Sequence, residues 1–162
     1  MPPDPARLAW KVVDDGVMGG LSEGQVEVLT QGIRFSGILS IENQGGFSSI
    51  RASAGSIPDN AIGFRLVVTG DGRRYQFRLR ATDHPDAPAW RALFDTSGAR
   101  ETVDLALPDF EPVFRGRRVH HSRALDAGAM RFLGFMLASH QPGPFSLAVH
   151  DIEYRLEAGP DA

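Results

Sequence analysis

VVTGDGRRYQF, residues 67–77, sets a Gly-Asp-Gly turn between two runs in which apolar and polar residues alternate. Gly70, Asp71 and Gly72 tolerate positive φ, as a tight connection between antiparallel strands demands, so the two runs are expected to pair as a β-hairpin. Alternation places Tyr75, Phe77 and Leu79 on one face of the second run and Arg74, Gln76, Arg78 and Arg80 on the other, because successive side chains of a strand point to opposite sides. On the first run Ile62, Phe64, Leu66 and Val68 share a face, with Arg65 and Thr69 opposite. In a hairpin Arg65 joins the polar face of the second run, which is then almost wholly Arg and Gln.

The same punctuation recurs along the chain. Gly 18 times and Pro 11 times leave apolar-rich segments of strand length between them. Residues 32–41, 45–52, 61–69, 73–82, 89–96, 100–107, 130–138 and 144–156 read as strands, and helical periodicity is scarce. That count and spacing predict an all-β chain, a jelly-roll β-sandwich. HHSRALDAGAMRF, residues 120–132, has the pattern of a short helical turn with Ser122 as N-cap, limited by Gly128. No repeat or linker divides the sequence, so a single domain is expected over residues 10–156, with tails at 1–9 and 157–162.

At 162 residues the chain is long enough to bury a real core. The hydrophobic fraction of 42% is that of an ordinary globular protein, and no apolar run approaches the roughly 20 residues that cross a bilayer. MPPDPARLAW lacks the apolar stretch of a secretory signal, which makes cytoplasm the expected compartment. The absence of cysteine removes disulfides, thiolate nucleophiles and Cys-type zinc sites together. A net charge of −3 argues against broad attraction to nucleic acid. Of the 17 basic residues only Lys11 is a lysine; a GC-rich genome gives that bias, and so does use of the planar guanidinium to recognise carboxylate or phosphate.

Motifs of catalysis are missing. There is no G-x-S-x-G elbow, no dinucleotide or phosphate-binding glycine loop, and no Ser, His and Asp set in a strand-turn-helix context, so no catalytic residue is assigned and no enzyme is expected. His120 and His121 are adjacent and point to opposite sides of an extended segment, while His140 and His150 lie elsewhere, without H-x-H or H-E-x-x-H spacing. The basic run FRGRRVHHSR, residues 114–123, reads as a solvated loop or a dock for an acidic partner.

WKVVDDGVMGGLSEG, residues 10–24, and FSGILSIENQGGFSSIR, residues 35–51, together resemble the N-terminal signature of the family of complex I intermediate-associated protein of 30 kDa. Trp10, Asp14, Asp15, Gly16, Val17, Met18, Gly19, Gly20 and Ser22 match its first segment. Gly37, Asn43, Gly45, Gly46, Phe47, Ser49 and Arg51 match its second. YQFRLR, FEPVFRGR and LGFMLASHQPGPFSLAVHDIEY are similar to its later segments, so the resemblance runs from Trp10 to Tyr154. Asp14 stands where many members carry Asn, and Leu21 lengthens the Gly-Gly-Ser spacing by one residue. The resemblance implies a galactose-binding-like β-sandwich with no agreed catalytic residue. It also implies either a mitochondrial assembly factor for respiratory complex I or, for a short chain such as this, a bacterial relative.

Three regions are candidates for function. The loop built from Trp10, Asp14, Asp15, Gly16, Met18, Gly19 and Gly20 is expected to be structural, with Arg51 pairing Asp14 or Asp15; Gly45, Gly46 and Phe47 form its companion turn. Asp14 and Asp15, with Asp151, could join backbone carbonyls around a structural calcium, but six to eight oxygens are needed and few candidates are at hand, so no cofactor is expected. Asn43 and Arg51 can donate to sugar hydroxyls or a partner backbone. Arg65, Gln76, Arg78 and Arg80, with Trp90 adjoining, form a sheet face suited to a carboxylate-rich ligand, a partner segment or carbohydrate. The expected function is a non-catalytic binding or assembly module with a protein partner such as a respiratory-chain subunit. The alternative is a carbohydrate-binding module, which two Trp and two Tyr furnish poorly with stacking surfaces.

Overall fold

A computed structural model describes residues 3–14, 20–42, 46–84, 87–114, 117–119 and 124–157. Its strands are β1 (Lys11–Asp14), β2 (Glu23–Val28), β3 (Ile33–Leu39), β4 (Phe47–Ser53), β5 (Ala61–Thr69), β6 (Arg74–Arg80), β7 (Ala89–Asp95), β8 (Arg100–Ala106), β9 (Glu111–Phe114), β10 (Arg117–Arg118), β11 (Phe132–Ala138) and β12 (Gly143–Leu156). They form a 7-stranded sheet in the order β1-β4-β11-β6-β7-β9-β10 and a 5-stranded sheet in the order β2-β3-β12-β5-β8. All described pairings are antiparallel. This is the jelly-roll β-sandwich expected.

The connection through Gly70–Arg73 is not a hairpin. β5 pairs with β12 and β8, and β6 pairs with β11 and β7, so each has both edges occupied and they lie in different sheets. Asp71 fixes the crossing: Tyr75 Oη donates to its Oδ1 at 3.0 Å and the Ser146 N–H donates to its Oδ2 at 2.8 Å. Thr96 adds a clamp, donating to the Arg73 carbonyl at 2.7 Å and accepting from the Gly72 N–H at 3.0 Å. Gly70 leaves room for that threonine, whose Cβ is 2.3 Å from where a Cβ on Gly70 would fall. Gly72 supplies the positive φ of 89°. The turn chemistry was read correctly and its direction was not.

The alternation on β6 holds, with Tyr75, Phe77 and Leu79 fully buried. On β5 Phe64, Leu66 and Val68 are buried, but Ile62 is 44% exposed. Arg155 pairs with Gly63 and the next residue, Leu156, with Ala61, so Ile62 is an extra residue turned away from the core by a bulge. Phe77 joins the layers, its ring 5.1 Å from Phe64 of the opposite sheet and 5.3 Å from Phe135 of its own. Such pairs add about 0.5–1.5 kcal/mol each beyond the area buried.

Between residues 120 and 132 the only described helical piece is a 3-10 turn, Ala127–Ala129, capped by Asp126, whose Oδ1 accepts from the Gly128 N–H at 3.1 Å. Ser122 lies outside the described residues. Near the start, Pro5 is buried and accepts the Trp10 indole N–H at 2.9 Å, so packing begins before Trp10. Among the described residues no helix is long and apolar enough to cross a membrane.

Candidate functional site

Because Tyr75, Phe77 and Leu79 point into the core, Arg74, Gln76, Arg78 and Arg80 emerge on the outer face of the seven-stranded sheet. The register then assembles a row across five neighbouring strands: Lys11 beside Arg51, Arg51 beside Gly134, Gly134 beside Arg78, Arg78 beside Arg91, and Arg91 beside Glu111 of a sixth. Like charges directly opposite on adjacent strands repel. Gly134 has its own reason to lack a side chain, since a Cβ there would lie 2.4 Å from the Ile50 carbonyl oxygen. No side chain therefore rises from β11 between Arg51 and Arg78.

The cations of this face are unequally served. Glu111 takes Arg91 Nε and Nη2, each at 2.9 Å, and Arg118 Nε, also at 2.9 Å. Arg80 donates to the carbonyls of Thr82, His84 and Ala87 at 3.3, 2.6 and 3.1 Å. Arg51 Nη1 lies 2.9 Å from Asp83 Oδ1 but is poorly aligned, and this buried atom makes no hydrogen bond among the described groups. Among the described residues Arg78 Nη1 has only neutral acceptors, Gln76 Oε1 at 2.6 Å and Met136 Sδ at 3.6 Å.

Burial first, then the charges of Arg80, Arg91 and Arg51, push the Arg78 guanidinium down to about 10. Arg80 is lowered too, by burial and by Arg51, with Asp83 opposing. For a base held below its unfolded value, the charged form costs stability at every pH below the folded pKa, here on the order of 3 kcal/mol, and the cost fades only as pH rises through about 10. At neutral pH Arg78 is therefore a desolvated cation with no carboxylate among the described residues. Beside the row a depression of about 550 Å³, lined in part by Arg73, Gln76, Leu93 and Gln141, extends along the same face.

Several residues expected here lie elsewhere. Arg65 is on the outer face of the other sheet, bonded to Asp104 at 2.8 Å, because the Gly70–Arg73 connection crosses between layers. Trp90 packs against the core, since it stands opposite Leu79 and shares that residue's inward direction. Arg51 belongs to the row, but its acidic neighbour among the described residues is Asp83 rather than Asp14. Lys11, Arg91 and Glu111 were missed. The alternation of Ala92 and Phe94 on β7 was the signal that could have placed Arg91 outward.

Asp14 bridges β2 and β4. Its Oδ2 accepts the Gly24 N–H of β2 at 2.9 Å and its Oδ1 accepts the Ser48 hydroxyl of β4, so one carboxylate ties the two sheets together at their edge. Gly24 allows that approach, as a Cβ would meet the Ser48 hydroxyl at 2.0 Å. Trp10 packs on the core 6.1 Å from Phe135, Gly46 has a φ of 123°, and Phe47 pairs with Ala138. Gly20 lies just before β2, half-buried. Asp15, Gly16, Met18, Gly19, Asn43, Gly45, His120 and His121 lie outside the described residues. Asp151 stands beside Val67 in the five-stranded sheet, and among the described residues no three His, Asp or Glu side chains gather as a metal ion would need.

The family model described as complex I intermediate-associated protein 30 (CIA30) matches residues 3–149, nearly the whole chain, and the chain belongs to that family. Solved structures agree on the fold. The family 11 carbohydrate-binding module of the cellulosomal cellulase Lic26A-Cel5E of Clostridium thermocellum is 12% identical, with a TM-score of 0.69 over 98% of this chain and 96% of that one. A Clostridium thermocellum family 11 module in complex with a β-1,3-1,4-mixed-linked tetrasaccharide gives 12% identity and a TM-score of 0.66 over 97% and 96%. The agarase AgWH50C matches at 8% identity and a TM-score of 0.60, covering 99% of this chain but 25% of its own. No curated sequence matches the chain.

Proposed function

We propose that this member of the complex I intermediate-associated protein 30 family is a non-catalytic binding module that docks an acidic protein partner on the outer face of its seven-stranded sheet. Its role is to assist assembly of a protein complex, such as one of the respiratory chain. The observation that carries this reading is the row Arg51–Gly134–Arg78–Arg91, with Arg78 half-buried and lacking a carboxylate among the described residues. Buried charges are normally paired, and arginine is enriched at protein interfaces where lysine is depleted.

A carbohydrate reading is favoured by the end-to-end likeness to carbohydrate-binding modules, one of them described in complex with a tetrasaccharide. It is weakened by the placement of Trp10, Trp90, Tyr75 and Tyr154, all of which pack into or against the core and offer no stacking platform on the arginine face.

The test is gentle crosslinking of tagged protein in its host, capture from detergent-solubilised cells and mass spectrometry. Enrichment of respiratory-complex subunits or assembly intermediates over an untagged control, lost with Arg78→Glu, is the expected result. Equal recovery from control and tagged cells, together with a rise in Tm on adding a soluble neutral glycan, would move the assignment to carbohydrate.

A further inference from the structure

We infer that Arg51, Arg78 and Arg91 form a carboxylate seat, in which one acidic side chain of the partner protein is received over Gly134 between the guanidinium groups of Arg51 and Arg78. This rests on the docking reading above and adds the chemical group recognised and where it sits. Gly134 is the floor: it carries no side chain, so none rises from β11 between Arg51 and Arg78. Arg51 and Arg78 stand two strand spacings apart, about 10 Å at the backbone, a span that two guanidinium groups can close from either side around a single carboxylate.

The donors are also poised. Gln76, itself only 6% exposed, holds Arg78 Nη1 at 2.6 Å and so fixes the plane of the fork. No other described protein group except the Met136 sulfur accepts from Arg78. A planar, pre-oriented guanidinium matches a carboxylate through two parallel N–H···O bonds. Glu111 already occupies Arg91 and Asp83 stands 2.9 Å from Arg51 Nη1, so Arg91 supplies field, Arg78 the principal contact, and Arg51 a contact shared with Asp83. The adjoining depression, with Leu93 at its side, gives the residues flanking the acid somewhere to lie; an inorganic anion would leave it empty. Charge complementarity thus points to an acidic peptide segment.

The probe is a hexaglutamate peptide, with binding measured by calorimetry and by the shift in Tm. Trp10 and Trp90 pack against the core and report unfolding by fluorescence. Wild-type protein is expected to bind in a salt-sensitive manner. Arg78→Met should weaken binding about thirty-fold or more, the usual result of truncating one partner of a desolvated charge pair. Arg78→Lys, which keeps the charge and loses the fork, should also lose most of it, while Arg65→Gln on the other sheet should change nothing.

Absence of binding by wild type, or undiminished binding by Arg78→Met, overturns the seat. Inorganic phosphate binding as tightly as hexaglutamate, or oligogalacturonate binding more tightly, overturns the assignment of an acidic protein segment as occupant. If hexaglutamate fails while respiratory subunits are still captured, the seat falls and the docking reading stands. If hexaglutamate binds and capture fails, the docking reading falls alone.

Discussion

On the outer face of the five-stranded sheet Arg65 stands opposite Asp104 and is bonded to it at 2.8 Å, which raises the guanidinium pKa and lowers that of the carboxyl. On the outer face of the seven-stranded sheet Arg78 stands opposite Arg91 and is pushed down to about 10. The same residue type is therefore shifted in opposite directions: burial first, and then like-charged neighbours, lower Arg78, whereas Arg65 is raised by its carboxylate partner. Complementary neighbours, including Arg34 with Glu27 at 3.7 Å, make the first face a solvated wall. Like neighbours make the second a place that a counter-charge would relieve.

The largest change expected follows from cutting the link that holds the two faces in one body. Asp14→Ala removes the acceptor shared by Gly24 and Ser48 and should cost about 3 kcal/mol, seen as a fall in Tm of about 6–12 °C. A Tm within a degree or two of wild type would mean that the sheets are held together without it. Next, Arg78→Met should stabilise the protein by about 1–3 kcal/mol in denaturant unfolding, because a half-buried cation with no carboxylate among the described residues is replaced by a side chain of similar volume. Its advantage should be equal at pH 6 and pH 8, both far below the value of about 10 at which Arg78 discharges. Arg65→Met on the opposite face should leave the midpoint unchanged, and equal behaviour of the two variants would erase the contrast between the faces.

Glu111→Gln should destabilise by about 1 kcal/mol and tighten hexaglutamate binding several-fold, since it strips the row of the carboxylate shared by Arg91 and Arg118. Unchanged affinity would show that Glu111 does not tune the field. The smallest effect belongs to His150 of β12, whose Nε2 is 2.8 Å from Thr69 Oγ1. Burial, and then Arg100 and Arg34, lower its pKa below the ordinary histidine value. Its contribution is full above about pH 6.5 and fades as pH falls toward the lower folded value, because the unfolded chain takes up the proton first. His150→Gln should flatten the decline in Tm between about pH 7 and pH 5; an unchanged decline would place its origin elsewhere.

Much of this architecture was legible in the sequence. The period of two on β6 separated Tyr75, Phe77 and Leu79 from Gln76, Arg78 and Arg80, and the Gly and Pro punctuation bracketed eight of the strands. The elements missed were β1, β2, β9 and β10, which are short, at or near an edge, and, in β2, polar at every position but Gly24, Val26 and Val28. The Gly70–Gly72 turn suits a hairpin and a crossing between layers equally well. What distinguishes them is a bond from Ser146, far along the chain, to Asp71. For the same reason Arg65 and Trp90 were grouped with the wrong face while Arg91 and Glu111 went unseen: alternation is local, whereas register is set by partners distant in sequence.

The crossing at Gly70–Arg73 has a kinetic consequence. Followed from β1 to β12, the chain changes sheet seven times, at β1/β2, β3/β4, β4/β5, β5/β6, β7/β8, β8/β9 and β11/β12. Neither sheet can therefore be completed before the other is well under way, and shortening the chain from either end removes strands from both. Folding must close long loops before most of its pairings are rewarded, which places this protein among slow folders, on the order of milliseconds to seconds. During that interval the unpaired edges of both sheets are exposed together.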